Sequence, residues 1–357
     1  MTLKKIMAHA VAISIALCAT AAHAADPITL QLKWVPQAQF AGYYVAQAKG
    51  YYKAEGVDVV IKPGGPNIVP SKALLSNQAD VMVNWMSDAL SSREAGLPLV
   101  NIAQIFDRSG MMLTCKKSSG IAAPKDFKGK TLGVWFGGNE HPFLNWMSKL
   151  GLKTDADLKP LNPGFSVDNR TRLIVPDSKI DVRVLRQGFD VDPLLKDRVP
   201  CISTMVYNEY WQVIDAGVKE TDLVTFFYED QGVASLEDGL YVLESRLQNP
   251  EFVARLTKFL KASLKGWSEA VKNPQEAAKI MVAAAPTGST TLAIQKRQMD
   301  NVSKLLSTAG TAKIGFLEPT SYERTVKVLL SGGSAPAIRS DPGAAAFTHQ
   351  IWRAAQN

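Results

Sequence analysis

The stretch Ile28-Thr29-Leu30-Gln31-Leu32-Lys33-Trp34-Val35-Pro36 alternates apolar and polar side chains and then breaks at a proline. Alternation of this kind is the pattern of a short strand. A helix is expected over residues 41–49, with Gly50 where a glycine in left-handed backbone ends a helix. Working outward, residues 57–61 predict a second strand, stopped by Pro63-Gly64-Gly65-Pro66. Residues 71–77 predict a helix, Asp80-Val81-Met82-Val83 a third strand, and residues 87–95 a helix with Ser87 as its N-cap. Residues 100–106 and 111–115 predict further strands. Strands and helices alternating at this spacing argue for βαβ units and a mainly parallel sheet.

The pattern then restarts. Thr131-Leu132-Gly133-Val134-Trp135 predicts a new first strand, ending in Phe136-Gly137-Gly138-Asn139-Glu140, with a helix over residues 143–150. Val182-Arg183-Val184-Leu185 and Cys201-Ile202-Ser203-Thr204-Met205 predict the next two strands. Residues 158–181, rich in Pro, Asn and Asp, read as a long surface loop. Residues 238–243 predict a returning strand, and beyond it the chain is almost wholly helical. Residues 250–273 carry Phe252, Leu256, Phe259, Leu260, Leu264 and Trp267 at helical spacing, and Pro274 starts the next helix. Two α/β lobes joined by two crossings follow, with residues 25–116 and 229–357 forming lobe 1 and residues 117–228 forming lobe 2. The crossings are expected at residues 115–120 and 228–235, and the helical C-terminal tail is expected to pack on lobe 1.

The N-terminus decides the compartment. Lys4 and Lys5, a short apolar run over residues 6–17 and the small residues of Ala22-His23-Ala24 make the layout of a cleaved secretory signal over residues 1–24. The run is well short of the ~20 apolar residues of a membrane span, and the bulky Leu17 before Cys18 argues against lipoprotein processing. Export points to the periplasm and leaves 333 residues, too many for one core and enough for two lobes. The formal charge of +7 falls to +5 without Lys4 and Lys5, and no basic stripe interleaves with aromatics, so nucleic acid is not the expected partner. Cys115 and Cys201 lie far apart with no framework pattern, and are expected as buried free thiols. No metal-ligand spacing joins the cysteines and histidines, and no cofactor is expected.

In open α/β sheets, ligands collect beyond the carboxyl ends of the strands. Residues just past the predicted strands therefore carry the site. In the first lobe these include Trp34, Phe40, Tyr43, Asn84 and Trp85, and in the second Phe136, Gly137, Gly138, Asn139 and Glu140, then Tyr207, Asn208 and Glu209, with Glu229 at a crossing. The set is rich in aromatic faces, which suit a planar ligand, and in amides and carboxylates, which fix a ligand's edge. Gly137-Gly138 before a helix is a weak anion cradle, and Glu140 beside it disfavours a phosphate. No Gly-x-Ser-x-Gly elbow, Walker loop or zinc motif is present, so catalysis is the minority reading.

The segment Leu32-Lys33-Trp34-Val35-Pro36-Gln37-Ala38-Gln39-Phe40-Ala41-Gly42-Tyr43-Tyr44-Val45-Ala46, with Gly50-Tyr51-Tyr52, resembles the opening of the thiamine-pyrimidine-precursor-binding proteins. These belong to a wider group of periplasmic binding proteins that also serves nitrate, alkanesulfonates and taurine. Gly133-Val134-Trp135-Phe136-Gly137-Gly138-Asn139-Glu140, Met205-Val206-Tyr207-Asn208-Glu209-Tyr210-Trp211 and Tyr228-Glu229-Asp230-Gln231-Gly232 fit the same subgroup. The resemblance implies a type II periplasmic binding protein fold. It also implies a monomeric bilobal clamp that delivers its ligand to an ABC permease and its ATPase. A formylated or hydroxymethylated aminopyrimidine is the implied ligand, with riboflavin or a small organic anion as the alternative. For an anion, Lys33 and Arg108 are the candidate cations. Eukaryotic relatives in the group are enzymes with a cysteine-rich run near the second crossing. Here that region reads Tyr228-Glu229-Asp230-Gln231-Gly232-Val233-Ala234, without cysteine, which with the export signal disfavours the enzyme version.

Overall fold

The computed structural model describes residues 27–156, 158–162, 164–168, 173–306, 310–331 and 336–357. The expected signal, residues 1–24, lies outside the described residues. The alternating opening stretch forms β1 (Ile28–Gln31), and α1 (Ala41–Ala48) follows it. Gly50, in left-handed backbone (φ 72°), separates α1 from the short α2 (Tyr51–Ala54). Then come β2 (Val59–Lys62), α3 (Pro70–Leu75), β3 (Val81–Asn84), α4 (Met86–Glu94) and β4 (Leu99–Gln104). Ser87 does not cap α4. The first turn is instead served from outside, the Met86 N–H donating to the Leu236 carbonyl at 2.9 Å.

The chain next enters a second sheet through β5 (Met111–Lys116), followed by β6 (Thr131–Val134) and α5 (Glu140–Lys149). The stretch expected as a long loop holds β7 (Leu158–Asn162), β8 (Phe165–Asp168) and β9 (Ile174–Pro176), a small antiparallel sheet of its own. Pro160 and Asn162 of β7 and Pro176 of β9 sit in its two edge strands, where proline is tolerated. The lobe is completed by β10 (Arg183–Arg186), α6 (Asp192–Leu195), β11 (Cys201–Met205), α7 (Glu209–Asp215) and β12 (Leu223–Phe227). The chain returns through β13 (Gly239–Leu243) to a helical tail. The tail comprises α8 (Pro250–Lys272), α9 (Pro274–Ala284), α10 (Leu292–Val302), α11 (Pro319–Leu330) and α12 (Gln350–Ala355).

The two five-stranded sheets share one topology. Their orders are β2-β1-β3-β13-β4 and β10-β6-β11-β5-β12. In each, the lobe's own first three strands pair in parallel, and the strand that arrives from the other lobe inserts antiparallel beside the third. The sheets are therefore mixed rather than mainly parallel: the arriving strand runs opposite to its neighbours on both sides. The first crossing consequently lies at residues 105–110, ahead of β5 and not after it, and the second at residues 228–238.

Antiparallel insertion also brings the cysteines together. Cys115 on β5 and Cys201 on β11 are register partners with Cα atoms 4.0 Å apart, and they form a disulfide rather than free thiols. Such a bond fits an oxidising compartment.

The tail packs mainly on the first lobe. Asn249 caps α8 by accepting from the Glu251 and Phe252 N–H groups at 2.9 and 3.1 Å. One face of α8 buries Phe252, Leu256, Phe259, Leu260 and Trp267 against α1 and α2. The crossing of α1 and α8 is close enough that a Cβ on Gly266 would lie 2.1 Å from the Gly42 carbonyl oxygen, so only glycine fits there. α11 is different: it packs against α5 of the second lobe as well as α4 of the first.

Candidate functional site

The carboxyl ends of both sets of parallel strands face one cleft of about 220 Å³. From the first lobe, Lys33, Trp34, Gln37, Gln39 and Trp85 line it; from the second, Trp135, Phe136 and Asn139 follow β6. Gln187 and Phe189 follow β10, and Met205, Tyr207, Asn208 and Glu209 end β11 and open α7. The walls are thus dominated by six aromatic rings. Trp34 and Phe189 meet across the mouth from opposite lobes, ring centres 5.0 Å apart. Both also border an adjoining outer chamber of about 440 Å³ that reaches the tail helix α10. The two chambers together reach the ~300–1,000 Å³ typical of small-molecule sites.

The lobes touch in several places around this cleft. Gly138 (φ 97°) lies so near α4 that a Cβ there would come 2.7 Å from the Cβ of Asp88. Gln298 of α10 donates to Asn208 at 3.0 Å. Arg297 pairs with Asp215, its second nitrogen at 2.9 Å, and lies over the Trp211 ring.

Of the residues expected at the site, Trp34, Trp85, Phe136, Asn139, Tyr207, Asn208 and Glu209 line the cleft. Phe40 and Tyr43 do not: both are buried in the first lobe's core, and the Tyr43 ring packs edge-on against Trp267 at 5.6 Å. Asn84 is buried and engaged locally, its Oδ1 accepting from the Trp85 N–H at 2.9 Å and its Nδ2 donating to Asp88 at 2.6 Å. Gly137 and Gly138 form the turn before α5, but the Gly138 N–H already donates to the Glu140 carboxylate at 2.8 Å, so no free anion cradle remains. Glu229 sits in the second crossing. Its carboxylate accepts from the Ser109 N–H at 2.7 Å and pairs with Arg324 of α11 at 3.1 Å, tying both crossings to the tail. Arg108 is in the first crossing and does not line the cleft.

Gln187 and Phe189, which directly follow β10, line the cleft but are not among the residues expected from the sequence, although the strand-end rule reaches them. That rule does not find Asp238 or Glu237. A returning antiparallel strand presents its beginning, not its end, to the cleft side, and Asp238 stands just before β13. Buried Asp238 accepts from Trp85 Nε1 at 3.0 Å and from Gln39 Nε2 at 2.7 Å, so it orients one wall. Burial pushes its carboxyl up to about 6, against the hydrogen bond from Gln39 and the pull of Lys33. Glu237 accepts from the Gly110 N–H at 3.0 Å and from the Ser109 hydroxyl, bridging the two crossings. Burial pushes it further, to about 8. Glu209 accepts from the Met205 N–H at 3.0 Å and from Asn208 Nδ2 at 2.7 Å, and burial pushes its carboxyl up to about 7.

Among the described residues Lys33 is the one cation that lines the cleft, its Nζ 4.7 Å from the centre of the Trp85 ring. Burial lowers its pKa, opposed chiefly by Asp88 and Asp238. Among the described residues no group of His, Cys, Asp and Glu could hold a metal ion, and no helix is long and apolar enough to cross a membrane.

Comparison with known proteins follows the same geometry. The family model described as NMT1/THI5 like matches residues 37–169 and 177–277. The riboflavin-binding protein RibY of Chloroflexus aurantiacus is 28% identical over 319 residues, covering 87% of this chain and 82% of that protein. A formylaminopyrimidine-binding protein of Halalkalibacterium halodurans is 24% identical, covering 79% of this chain and 78% of its own length. Among solved structures, the periplasmic aliphatic sulphonate binding protein SsuA of Escherichia coli superposes with a TM-score of 0.57 at 11% identity, covering 85% of this chain and 86% of that one. At that identity the likeness shows the fold, that of a periplasmic binding protein.

Proposed function

Because the chain belongs to the NMT1/THI5-like family, we propose that it is the exported solute receptor of an ABC importer, holding a flat heteroaromatic ligand between its two lobes. The observation that carries this reading is the cleft itself, where six aromatic rings contributed by both lobes surround a few polar groups. Offset stacking on such faces contributes about 0.5–1.5 kcal/mol per ring pair beyond burial. The relatives named as riboflavin-binding and formylaminopyrimidine-binding support a planar nitrogen heterocycle as the ligand. The buried disulfide supports a periplasmic location. Two crossings joined by Ser109, Glu229 and Glu237 suit a hinge on which the lobes open and close, and a permease with its ATPase is the partner that reads closure.

An exported enzyme of pyrimidine metabolism is the reading of another class. Each carboxylate of the cleft discussed above is held in hydrogen bonds to the protein, which favours a receptor. A thermal-shift series on the chain without residues 1–24 tests the proposal with riboflavin, aminopyrimidines, taurine and nitrate. A ligand at a thousandfold its dissociation constant adds about 4 kcal/mol of stability. A rise of several degrees with a heteroaromatic, and its recovery unchanged afterwards, is expected. Turnover of the bound compound would replace the receptor with an enzyme.

A further inference from the structure

Most polar side chains of the cleft are already engaged by the protein. Glu209 is held by Met205 and Asn208, Gln187 by both backbone groups of Ser203, and Asp238 by Trp85 and Gln39. Two are not. The buried Oδ1 of Asn139 accepts from nothing, and the Asn139 amide donates to nothing, among the described residues. Lys33 makes no hydrogen bond or ion pair among them either; its ammonium faces the Trp85 ring, with Asp88 and Asp238 acting on it only through their charge. A buried acceptor without a donor is costly, and a half-buried ammonium without a hydrogen-bond partner is also under-solvated. Asn139 carries the one cleft oxygen among these that is fully buried and unpaired, and Lys33 the one ammonium, so these two groups are the strongest constraint on what the ligand's edge offers.

Resting on the receptor reading above, we infer that Asn139 and Lys33 together recognise an imide edge, a ring N–H flanked by two carbonyls, and so select flavin- or uracil-like heterocycles over 4-aminopyrimidines. The ring N–H donates to Asn139 Oδ1, one carbonyl accepts from the Asn139 amide, and the second accepts from the Lys33 ammonium. An aminopyrimidine placed the same way sets its amino group against the ammonium, donor against donor. A full anion such as a sulfonate fits less well. One ammonium would face it while Asp88, Asp238 and Glu140, all close enough to pull on Lys33, repel it. The imide edge is neutral and avoids that conflict.

The test is equilibrium titration of the chain without residues 1–24, following tryptophan fluorescence or heat. The probes are lumiflavin, its N3-methyl derivative, uracil, 4-amino-5-hydroxymethyl-2-methylpyrimidine and taurine. Lumiflavin and its methyl derivative differ only at the imide N–H, so their comparison needs no variant to fold. Methylation is expected to weaken binding at least about tenfold, the loss of one buried hydrogen bond. Lys33→Met, which keeps the stem over Trp85, is expected to weaken lumiflavin by a similar factor and to leave the methyl derivative's deficit reduced. Uracil binding in place of lumiflavin supports the same edge on a smaller ring. Equal binding of lumiflavin and its methyl derivative overturns the imide assignment. So does preferential binding of the aminopyrimidine or of taurine, although those results leave a receptor in place. Binding of none of the five overturns the receptor reading itself.

Discussion

The two lobes are built on one strand order but are held together differently. In the first, α8 and α12 pack on the sheet, with α9 packed on α1 and α8 beside them, and the buried face of α8 alone contributes five large apolar side chains. In the second, the helices are shorter, and the seam where the arriving strand meets the third strand carries the Cys115–Cys201 bond. The equivalent seam of the first lobe, β3 against β13, pairs Met82 with Tyr241 and is buried by packing alone. A shared topology thus leaves the same weak point, an inserted antiparallel strand, and the chain secures it once with helices and once with a covalent bond.

The largest expected effect falls on the helix-covered lobe. Trp267→Ala removes a buried ring that meets both Tyr43 and Phe106 and should lower unfolding free energy by about 3–5 kcal/mol in urea titration. A loss under about 1 kcal/mol would mean that the tail does not hold the first lobe. Next comes the covalent seam. Replacing Cys115 and Cys201 by serine opens a loop of 86 residues and should lower stability by about 2–4 kcal/mol. If that variant unfolds in a separate, earlier transition, the second lobe depends on the bond as the comparison requires; an unchanged single transition would break the comparison.

The smallest effect belongs to the hinge between the lobes. Glu237, pushed up to about 8 by burial, holds its proton in the folded state at pH values where the unfolded chain, with an ordinary carboxyl near 4.5, has lost it. Between those values the unfolded state binds fewer protons, so stability should fall as pH rises. Glu209 and Asp238, raised to about 7 and about 6, add to the same trend. Glu237→Gln should flatten the decline of melting temperature between about pH 5 and pH 8, and an unaltered slope would place the titration elsewhere.

The local parts of this fold are legible in the sequence. β1, α1, Gly50 and the 201–205 strand follow from short-range pattern, because alternation and helical spacing are properties of neighbouring residues. What a distant strand does is not legible. Nothing in residues 111–116 tells that they pair with β11 and β12, so the crossing falls too late and the cysteines look unrelated. The site divides the same way. Trp34, Trp85, Asn139 and Tyr207 follow strands and are found by that rule, whereas Tyr43 lies on the face of α1 that meets α8. Lys33 is a candidate cleft cation from its place after β1, but that Trp85, Asp88 and Asp238 surround it is set only by the fold.

The most direct test of a ligand clamped between the lobes uses the aromatic pair at the cleft mouth, because each lobe supplies one ring and Phe189 is 55% exposed, so its loss spares folding. Calorimetric titration of riboflavin and an aminopyrimidine into the unaltered chain and into Trp34→Ala/Phe189→Ala is the measurement. One ligand per chain, a negative heat-capacity change and at least about tenfold weaker binding in the variant, near 1.4 kcal/mol, are predicted. Equal affinity in the two proteins would place the ligand outside the cleft and contradict the clamp.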